Sequence, residues 1–226
     1  MAISTRINAM IVMGVKSTYR FGTNIMSLGV DLTHFSNCAF NIPNYGINIP
    51  YLSMSYARTI TQDSTIRVRP RINQFKKFYF GMYGVFSLKE INPHGSRKYP
   101  VYALGGFCRF FFQQRAGIET GIDLISKQSI FDFEPQVNKT QWSILQLGLY
   151  TGYLVPLNHF HFFFGMGVYI RDRYRPNGPL YHRIGFRYQL KNGLYGNVTL
   201  KSHWAKADYM ELGIGYVFNF RKKQAK

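Results

Sequence analysis

Long runs in which apolar and polar residues alternate dominate this sequence of 226 residues. The alternation has a period of two, which is the period of a β-strand, since successive side chains of a strand point to opposite faces. The runs are rich in Tyr, Phe, Val and Ile and are separated by clusters of Pro, Gly and Asn. Eleven runs can be delimited, at 6–20, 24–36, 49–60, 76–90, 99–115, 117–129, 141–155, 159–171, 180–190, 193–203 and 208–220. We therefore predict an all-β chain with no helix of useful length.

The last run shows most clearly how the two faces of a strand differ. One face carries Met210, Leu212, Ile214, Tyr216, Phe218 and Phe220, and the other carries Tyr209, Glu211, Gly213, Gly215 and Asn219. The same division into an apolar face and a polar or small face recurs in the runs at 159–171 and 193–203. Such strands fit a barrel with an apolar exterior and a polar lumen.

The length of the runs separates two kinds of β-protein. Strands of soluble sandwiches average about five or six residues, whereas a tilted strand that crosses a bilayer needs about ten. Most of the runs here have ten residues or more. The sequence therefore predicts an antiparallel outer-membrane-type β-barrel, with about eleven strands, as a single domain over residues 1–226. A soluble lipocalin-like barrel is the alternative.

Two features predict that the barrel is incomplete. Bacterial single-chain barrels have an even number of strands, and eleven is odd. A protein bound for the outer membrane also needs an export signal, and none precedes the first run. We expect that the chain lacks the N-terminal part of a longer protein.

The charge of the chain points to an anionic partner. Lys and Arg number 28 against 10 Asp and Glu, a formal net charge of +18. Nucleic acid is disfavoured because no recognition motif is present. The basic run over 67–77 would either contact the phosphates of an anionic partner or form a solvated loop. The two cysteines, Cys38 and Cys108, match no metal or disulfide framework, and no metal site or cofactor is predicted.

A possible catalytic group lies on the second and third runs. The apolar face that carries Val30 and Leu32 continues, by parity, through His34 and Ser36, and Asn48 has the matching parity on the third run. An imidazole, a hydroxyl and an amide on one face are the components of an activated serine nucleophile. Spacing alone does not establish an enzyme, because a His-x-Ser pair on a strand is more often a surface feature.

The longer strings around these residues carry a family resemblance. Thr33-His34-Phe35-Ser36-Asn37 and then Pro43-Asn44-Tyr45-Gly46-Ile47-Asn48 resemble the signature of the PagL-type lipid A deacylases, outer-membrane barrels also called acyloxyacyl hydrolases. Strings over 178–185 and 200–213 resemble the longer Bacteroidetes members of this group. By this resemblance, residues 1–60 correspond to the deacylase core, 61–220 to the remaining barrel strands and 221–226 to a basic tail.

The resemblance implies a role for each site residue. Ser36 would be the nucleophile that attacks an ester carbonyl and His34 its general base, while Asn37 and Asn44 would shape the site or stabilise the oxyanion. The family commonly has Glu where this chain has Asn48, which would orient the imidazole without a full charge. The implied activity is hydrolysis of an ester-linked acyl chain of lipid A, with lipopolysaccharide as partner, in the outer membrane.

The alternative from another class is a non-catalytic outer-membrane barrel, a channel or a structural protein whose site has decayed. The loss of the acid at position 48 favours it, and intact His34, Ser36 and Asn37 oppose it. The other polar concentration contains His182, His203, Asp208 and Glu211. It is expected to form a hydrogen-bonded network in the lumen rather than a metal site or a second catalytic site.

Overall fold

The described residues of the chain form an almost wholly β structure. The computed structural model describes residues 8–37, 40–60, 78–134, 136, 138–174, 177–204 and 206–218. Its strands are β1 (Ala9–Phe21), β2 (Asn24–Ser36), β3 (Ile47–Arg58), β4 (Phe78–Glu90), β5 (Lys98–Gln113), β6 (Ala116–Lys127), β7 (Leu145–Leu157), β8 (Phe160–Arg171), β9 (Leu180–Gln189), β10 (Leu194–His203) and β11 (Lys206–Phe218). Each predicted run overlaps one of these strands, with ends that differ by up to four residues. The basic run over 67–77, Cys38 and the tail over 221–226 lie outside the described residues.

Two single-turn helices, α1 (Ile130–Phe133) and α2 (Gln141–Ile144), occupy the connection between β6 and β7. Neither reaches the length at which an isolated helix is stable in water, so both depend on their surroundings. Ile130 and Ile144 are buried and pack in one small apolar cluster. Among the described residues, no helix is long and apolar enough to cross a membrane.

The strands form two antiparallel sheets. A closed barrel contains β4 to β11, with β11 pairing with β4 to complete the ring, and β1, β2 and β3 form a separate sheet with β2 in the middle. The predicted all-β antiparallel barrel is confirmed, and its ring has eight strands, an even number, rather than eleven. The chain divides into two compact units, 1–37 with 43–73, and 38–42 with 74–226. The single domain predicted over 1–226 and the part expected to precede it stay predictions.

The two faces of the barrel strands differ as their alternation predicts. On β11, Leu212 and Ile214 are exposed on the outer surface, whereas Tyr209 and Glu211 are buried in the lumen. On β8, Phe160 and Phe164 are exposed. A continuous belt of apolar side chains therefore covers the outside of the ring.

Aromatic rings fill much of the lumen. Tyr83, Phe107, Phe163, Tyr181 and Tyr195 belong to one buried cluster. Inward-facing glycines make room for these rings: a Cβ atom at residue 167 would lie 2.2 Å from Cζ of Tyr181, and one at residue 81 would lie 2.3 Å from Cζ of Phe107. An eight-stranded barrel is just wide enough for its side chains to fill it, and this lumen is filled in that way.

A charged network holds opposite walls of the lumen together. Glu119 on β6 is fully buried. It accepts hydrogen bonds from Arg109 Nη2 at 2.9 Å, from Arg187 Nη1 at 2.5 Å and from the Tyr150 hydroxyl at 3.0 Å. These donors lie on β5, β9 and β7, so a single carboxylate joins four strands. Buried charges of this kind need partners because desolvation is costly.

A second part of the network contains the polar residues singled out in the sequence. Arg183 donates to Asp123 at 3.0 Å and to Glu211 at 2.9 Å. Asp208 accepts from Lys127 at 2.6 Å and lies 3.2 Å from Nε2 of His203. The structure thus places His203 and Asp208 in one hydrogen-bonded group of the lumen and Glu211 in another. His182 lies apart from both, with its ring 5.4 Å from that of Trp204.

The two ends of the barrel differ in their connections. Because the strands are antiparallel, alternate connections lie at the same end. One end carries the connections 91–97, 128–144, 172–179 and 204–205, and the other carries 114–115, 158–159 and 190–193. The first end therefore has most of the longer connections, and the second has short turns.

We predict that Glu119→Gln destabilises the barrel strongly. The substitution keeps the shape of the side chain but leaves two buried arginines without their anion, which costs about 3 kcal/mol or more. Urea titration of the full chain in lipid vesicles, followed by the mobility of folded and unfolded forms in electrophoresis, measures the free energy of unfolding. Asp132→Asn, which removes an exposed pairing with Arg97, is the control expected to change nothing. Equal stability of the two variants would contradict a structural role for the lumen network.

Candidate active site

The pairing of β2 with β3 brings the predicted site residues together. His34 lies directly opposite Asn48 in the antiparallel register. Residues opposite each other in such a pair project to the same face, and Ser36 shares that face because it is two positions from His34. On the other side of β2, Ser36 lies opposite Ala9 of β1. The three residues therefore lie on one face near the end of β2.

A hydrogen bond joins the imidazole to the amide. Nδ1 of His34 lies 2.7 Å from Oδ1 of Asn48. An amide oxygen only accepts, so Nδ1 carries the proton and donates it. The other ring nitrogen, Nε2, is then unprotonated in the neutral ring and can accept a proton. This is the tautomer that a general base requires.

The hydroxyl of Ser36 is buried and unengaged. The residue is 2% exposed, and among the described residues its Oγ has no hydrogen-bond partner. Buried polar atoms normally have partners, and an exception calls for an explanation. Hydrogen bonds between a nucleophile and its base are often long in a ligand-free site and shorten when substrate binds. The free Oγ of Ser36 is explained if the side chain rotates toward His34 when substrate binds.

The turn after β2 is closed by an asparagine. The backbone N–H of Asn37 donates to Oδ1 of Asn44 at 3.0 Å, and Asn37 is itself buried. The bond holds the backbone immediately after Ser36. Asn44 therefore shapes the loop through its side-chain carbonyl.

Gly46 lies against the ring of His34, a contact that the sequence pattern did not predict. Its φ of +69° is a conformation that side chains rarely adopt, and a Cβ atom there would lie 2.9 Å from Cε1 of His34. Both the backbone and the imidazole therefore require glycine at this position. The Pro-Asn-x-Gly string contained the residue, but the string alone gave it no role.

Asp31 is the acidic residue closest to His34 in the sequence, but its carboxylate binds a different side chain. Asp31 lies three positions from His34 and so on the opposite face of β2. Its carboxylate accepts a hydrogen bond from the Ser53 hydroxyl at 2.5 Å. The oxygen that faces Nδ1 of His34 is thus the amide oxygen of Asn48 and not that of a carboxylate. Within the described ranges, no group of three or more His, Cys, Asp and Glu side chains could hold a metal ion.

We predict that Gly46→Ala displaces the His34 ring. The added methyl group would overlap Cε1, so the ring would have to move and its bond to Asn48 would lengthen or break. Nitrogen-15 NMR of histidine-labelled full chain in detergent reports which ring nitrogen carries the proton. The control is Gly22→Ala, where φ is also positive, at +60°, but nothing lies within 4 Å of the new Cβ atom. An unchanged Nδ1–H signal of His34 in Gly46→Ala would refute the contact.

Comparison with known structures returns bacterial porins at low similarity. Two mutants of the Rhodopseudomonas blastica porin each match with 11% identity over 92% of this chain and 55% of theirs, at TM-scores of 0.25 and 0.26. A triple mutant of that porin matches with 8% identity over 93% of this chain and 91% of its own, at a TM-score of 0.25. The chain thus spans about half the length of the first two porins, and scores at this level do not establish a common fold.

Comparison with families is more specific. No curated protein matches the chain. The family model of the acyloxyacyl hydrolase C-terminal domain matches residues 74–221, which contain the whole closed barrel and well over half of the chain. The chain therefore belongs to the acyloxyacyl hydrolase family.

Proposed function

We propose that the chain is an outer-membrane serine esterase that hydrolyses an ester-linked acyl chain of lipid A. The observation that carries the proposal is the hydrogen bond of 2.7 Å between His34 and Asn48, on the face that also bears Ser36. It orients the imidazole in the tautomer of a general base beside an unengaged hydroxyl. Membership of the acyloxyacyl hydrolase family supports the same chemistry.

The proposed reaction has two steps. In the first, Ser36 Oγ attacks the ester carbonyl while Nε2 of His34 takes its proton, and the imidazolium then protonates the departing alcohol. In the second, His34 takes a proton from water, which attacks the acyl-serine ester, and the imidazolium then gives that proton to Ser36 Oγ as the acyl–oxygen bond breaks. The products are a free fatty acid, the deacylated lipid and the regenerated serine. Asn37 and Asn44 would shape the site or stabilise the oxyanion, as the resemblance implies.

Because Asn48 replaces the Glu common in the family, we expect this chain to hydrolyse its ester more slowly than relatives that have the Glu. The amide oxygen of Asn48 accepts the Nδ1 proton as a carboxylate would, so the orientation of the ring is preserved. It carries no charge, however, and stabilises the imidazolium less than the Glu common in the family. Hydrogen bonds to charged groups are stronger than those between neutral groups. We infer a correctly oriented but slower catalyst.

The surroundings of the site suit a substrate that is already in a bilayer. The site face of β2 continues an exposed apolar stripe in which Leu28 and Val30 are 61% and 62% exposed. Acyl chains lying along such a stripe would deliver their ester groups to the end of β2. The enzyme would then act without extracting its lipid from the membrane. The excess of basic residues, +18 overall, complements the phosphates of lipopolysaccharide.

The rival is a non-catalytic outer-membrane barrel. The amide at position 48 is the observation that favours it. A channel is the weaker form of this rival, because rings and the salt-bridged network occupy the lumen. A structural barrel with a decayed site would have the same fold as the esterase. Only a measurement of deacylation distinguishes the two.

We expect Ser36→Ala to abolish deacylation. Cells that express the full chain should yield lipid A lacking one ester-linked acyl chain, and cells with the variant should yield intact lipid A, as measured by mass spectrometry. Ser27→Ala, on the same strand but with its hydroxyl paired to Thr18 at 3.1 Å, is the matched control and should remain active. Deacylation that persists in Ser36→Ala would eliminate the proposed nucleophile.

A charge at position 48 should accelerate the reaction. We expect Asn48→Glu to raise kcat about tenfold, which corresponds to about 1.4 kcal/mol of transition-state stabilisation, because the carboxylate would stabilise the imidazolium. Asn48→Gln has the same length without the charge and should show no such gain. Equal rates for the two variants would contradict the role assigned to this position. Inactivity of the native chain and both variants would favour the structural barrel.

A further inference from the structure

An apolar groove lies on the outer surface of the closed barrel. It crosses β4, β5, β6 and β11 and has a volume of about 570 Å³, which is within the roughly 300–1,000 Å³ of ligand pockets. Its walls are formed by Met82, Leu104, Ile122, Leu124, Ile214 and Tyr216. No residue that lines it is charged.

Two outward-facing glycines create the depression. Gly84 and Gly106 have the parity of the exposed neighbours Met82 and Leu104. A Cβ atom at Gly84 would meet only Leu104, at 3.6 Å, and one at Gly106 only the carbonyl oxygen of Gly81, at 3.9 Å. A larger residue would therefore fit at either position. At the lumen positions Gly81 and Gly167, by contrast, a Cβ atom would overlap an aromatic ring. The missing side chains leave open space in a belt that is otherwise covered with large residues.

The chemistry of the walls selects a hydrocarbon ligand. Leu104 and Ile214, which line the groove, are 65% and 70% exposed. The groove is continuous with the apolar belt of the barrel. Apart from the hydroxyl of Tyr216, the side chains that form the walls offer a ligand only apolar atoms. An extended acyl chain satisfies these conditions.

The position of the groove indicates which lipid supplies the chain. One end of it reaches Leu194 and Tyr216, which lie opposite each other on β10 and β11. Leu194 directly follows the short connection 190–193, where Lys191 is exposed. Short turns of outer-membrane barrels face the periplasm, and the leaflet on that side consists of glycerophospholipid. An ammonium at this end of the groove would meet a phosphate head group.

We propose that this groove is a binding site for one acyl chain of a glycerophospholipid, with Lys191 at the head-group end. The site goes beyond the esterase function and does not involve His34 or Ser36. A second copy of the chain is the other occupant that an apolar groove would accept, and the test distinguishes it.

Filling the groove is the direct test. The variant Gly84→Leu/Gly106→Leu places two side chains in the open space. Thr151→Leu is the control, since Thr151 is exposed on the outer face of β7, a strand that contributes no residue to the groove. Full-length chains are purified in detergent, depleted of lipid and mixed with phosphatidylethanolamine. Native mass spectrometry then counts the retained lipid. We expect one molecule on the native chain and on the control, and at least a tenfold lower occupancy on the double variant.

Several outcomes would overturn the proposal. They are equal retention by the double variant, no retention by the native chain, preferential retention of lipopolysaccharide, and a dimer that the double variant abolishes. Should the double variant fail to fold, cross-linking the native chain with a phospholipid that carries a diazirine on its acyl chain provides the second measurement. Labelled peptides from 78–90 and 98–113 would support the site, and labels spread evenly around the barrel would refute it. Ser36→Ala should retain lipid normally, so this test and that of the esterase fail independently.

Discussion

Antiparallel backbone hydrogen bonding assigns each side chain of the described strands to one of two faces. Because the period is two, the same rule sends Leu212 and Ile214 to the outer belt and Tyr209 and Glu211 to the lumen. In the smaller sheet, the register between β2 and β3 places His34 opposite Asn48. A shift of one residue in that register would put the imidazole and the amide on opposite faces. The barrel, its charged lumen and the candidate site all depend on this pairing.

Local pattern predicted much of this arrangement. The strands, their faces and the lumen positions of His203 and Glu211 follow from alternation, which neighbouring residues along the chain express directly. The division into two sheets does not, because the contact that closes the ring joins β11 to β4, far apart in sequence. The hydrogen-bond partners of Glu119 could not be predicted from the sequence either, because they come from three other strands. Gly46 appeared in a motif, but only its approach to His34 in three dimensions gives it a role.

The family match and the candidate site concern different parts of the chain. Residues 74–221 match the C-terminal domain of the acyloxyacyl hydrolases, whereas the site residues lie between positions 34 and 48. The family therefore supports the esterase in general, and the specific chemistry depends on geometry: an oriented imidazole, an unengaged serine hydroxyl and a loop closed by Asn44. The amide at position 48 preserves the orientation while omitting the charge.

The central claim is that Ser36 is a nucleophile activated by His34, and covalent labelling tests it most directly. The full chain in detergent is treated with a lipophilic fluorophosphonate, which reacts with activated serines, and the adduct is located by peptide mass spectrometry. The account predicts one adduct, on Ser36, that is lost in His34→Ala although Ser36 is still present. An unlabelled native chain, an adduct on another serine, or labelling of Ser36 that does not depend on His34 would contradict it.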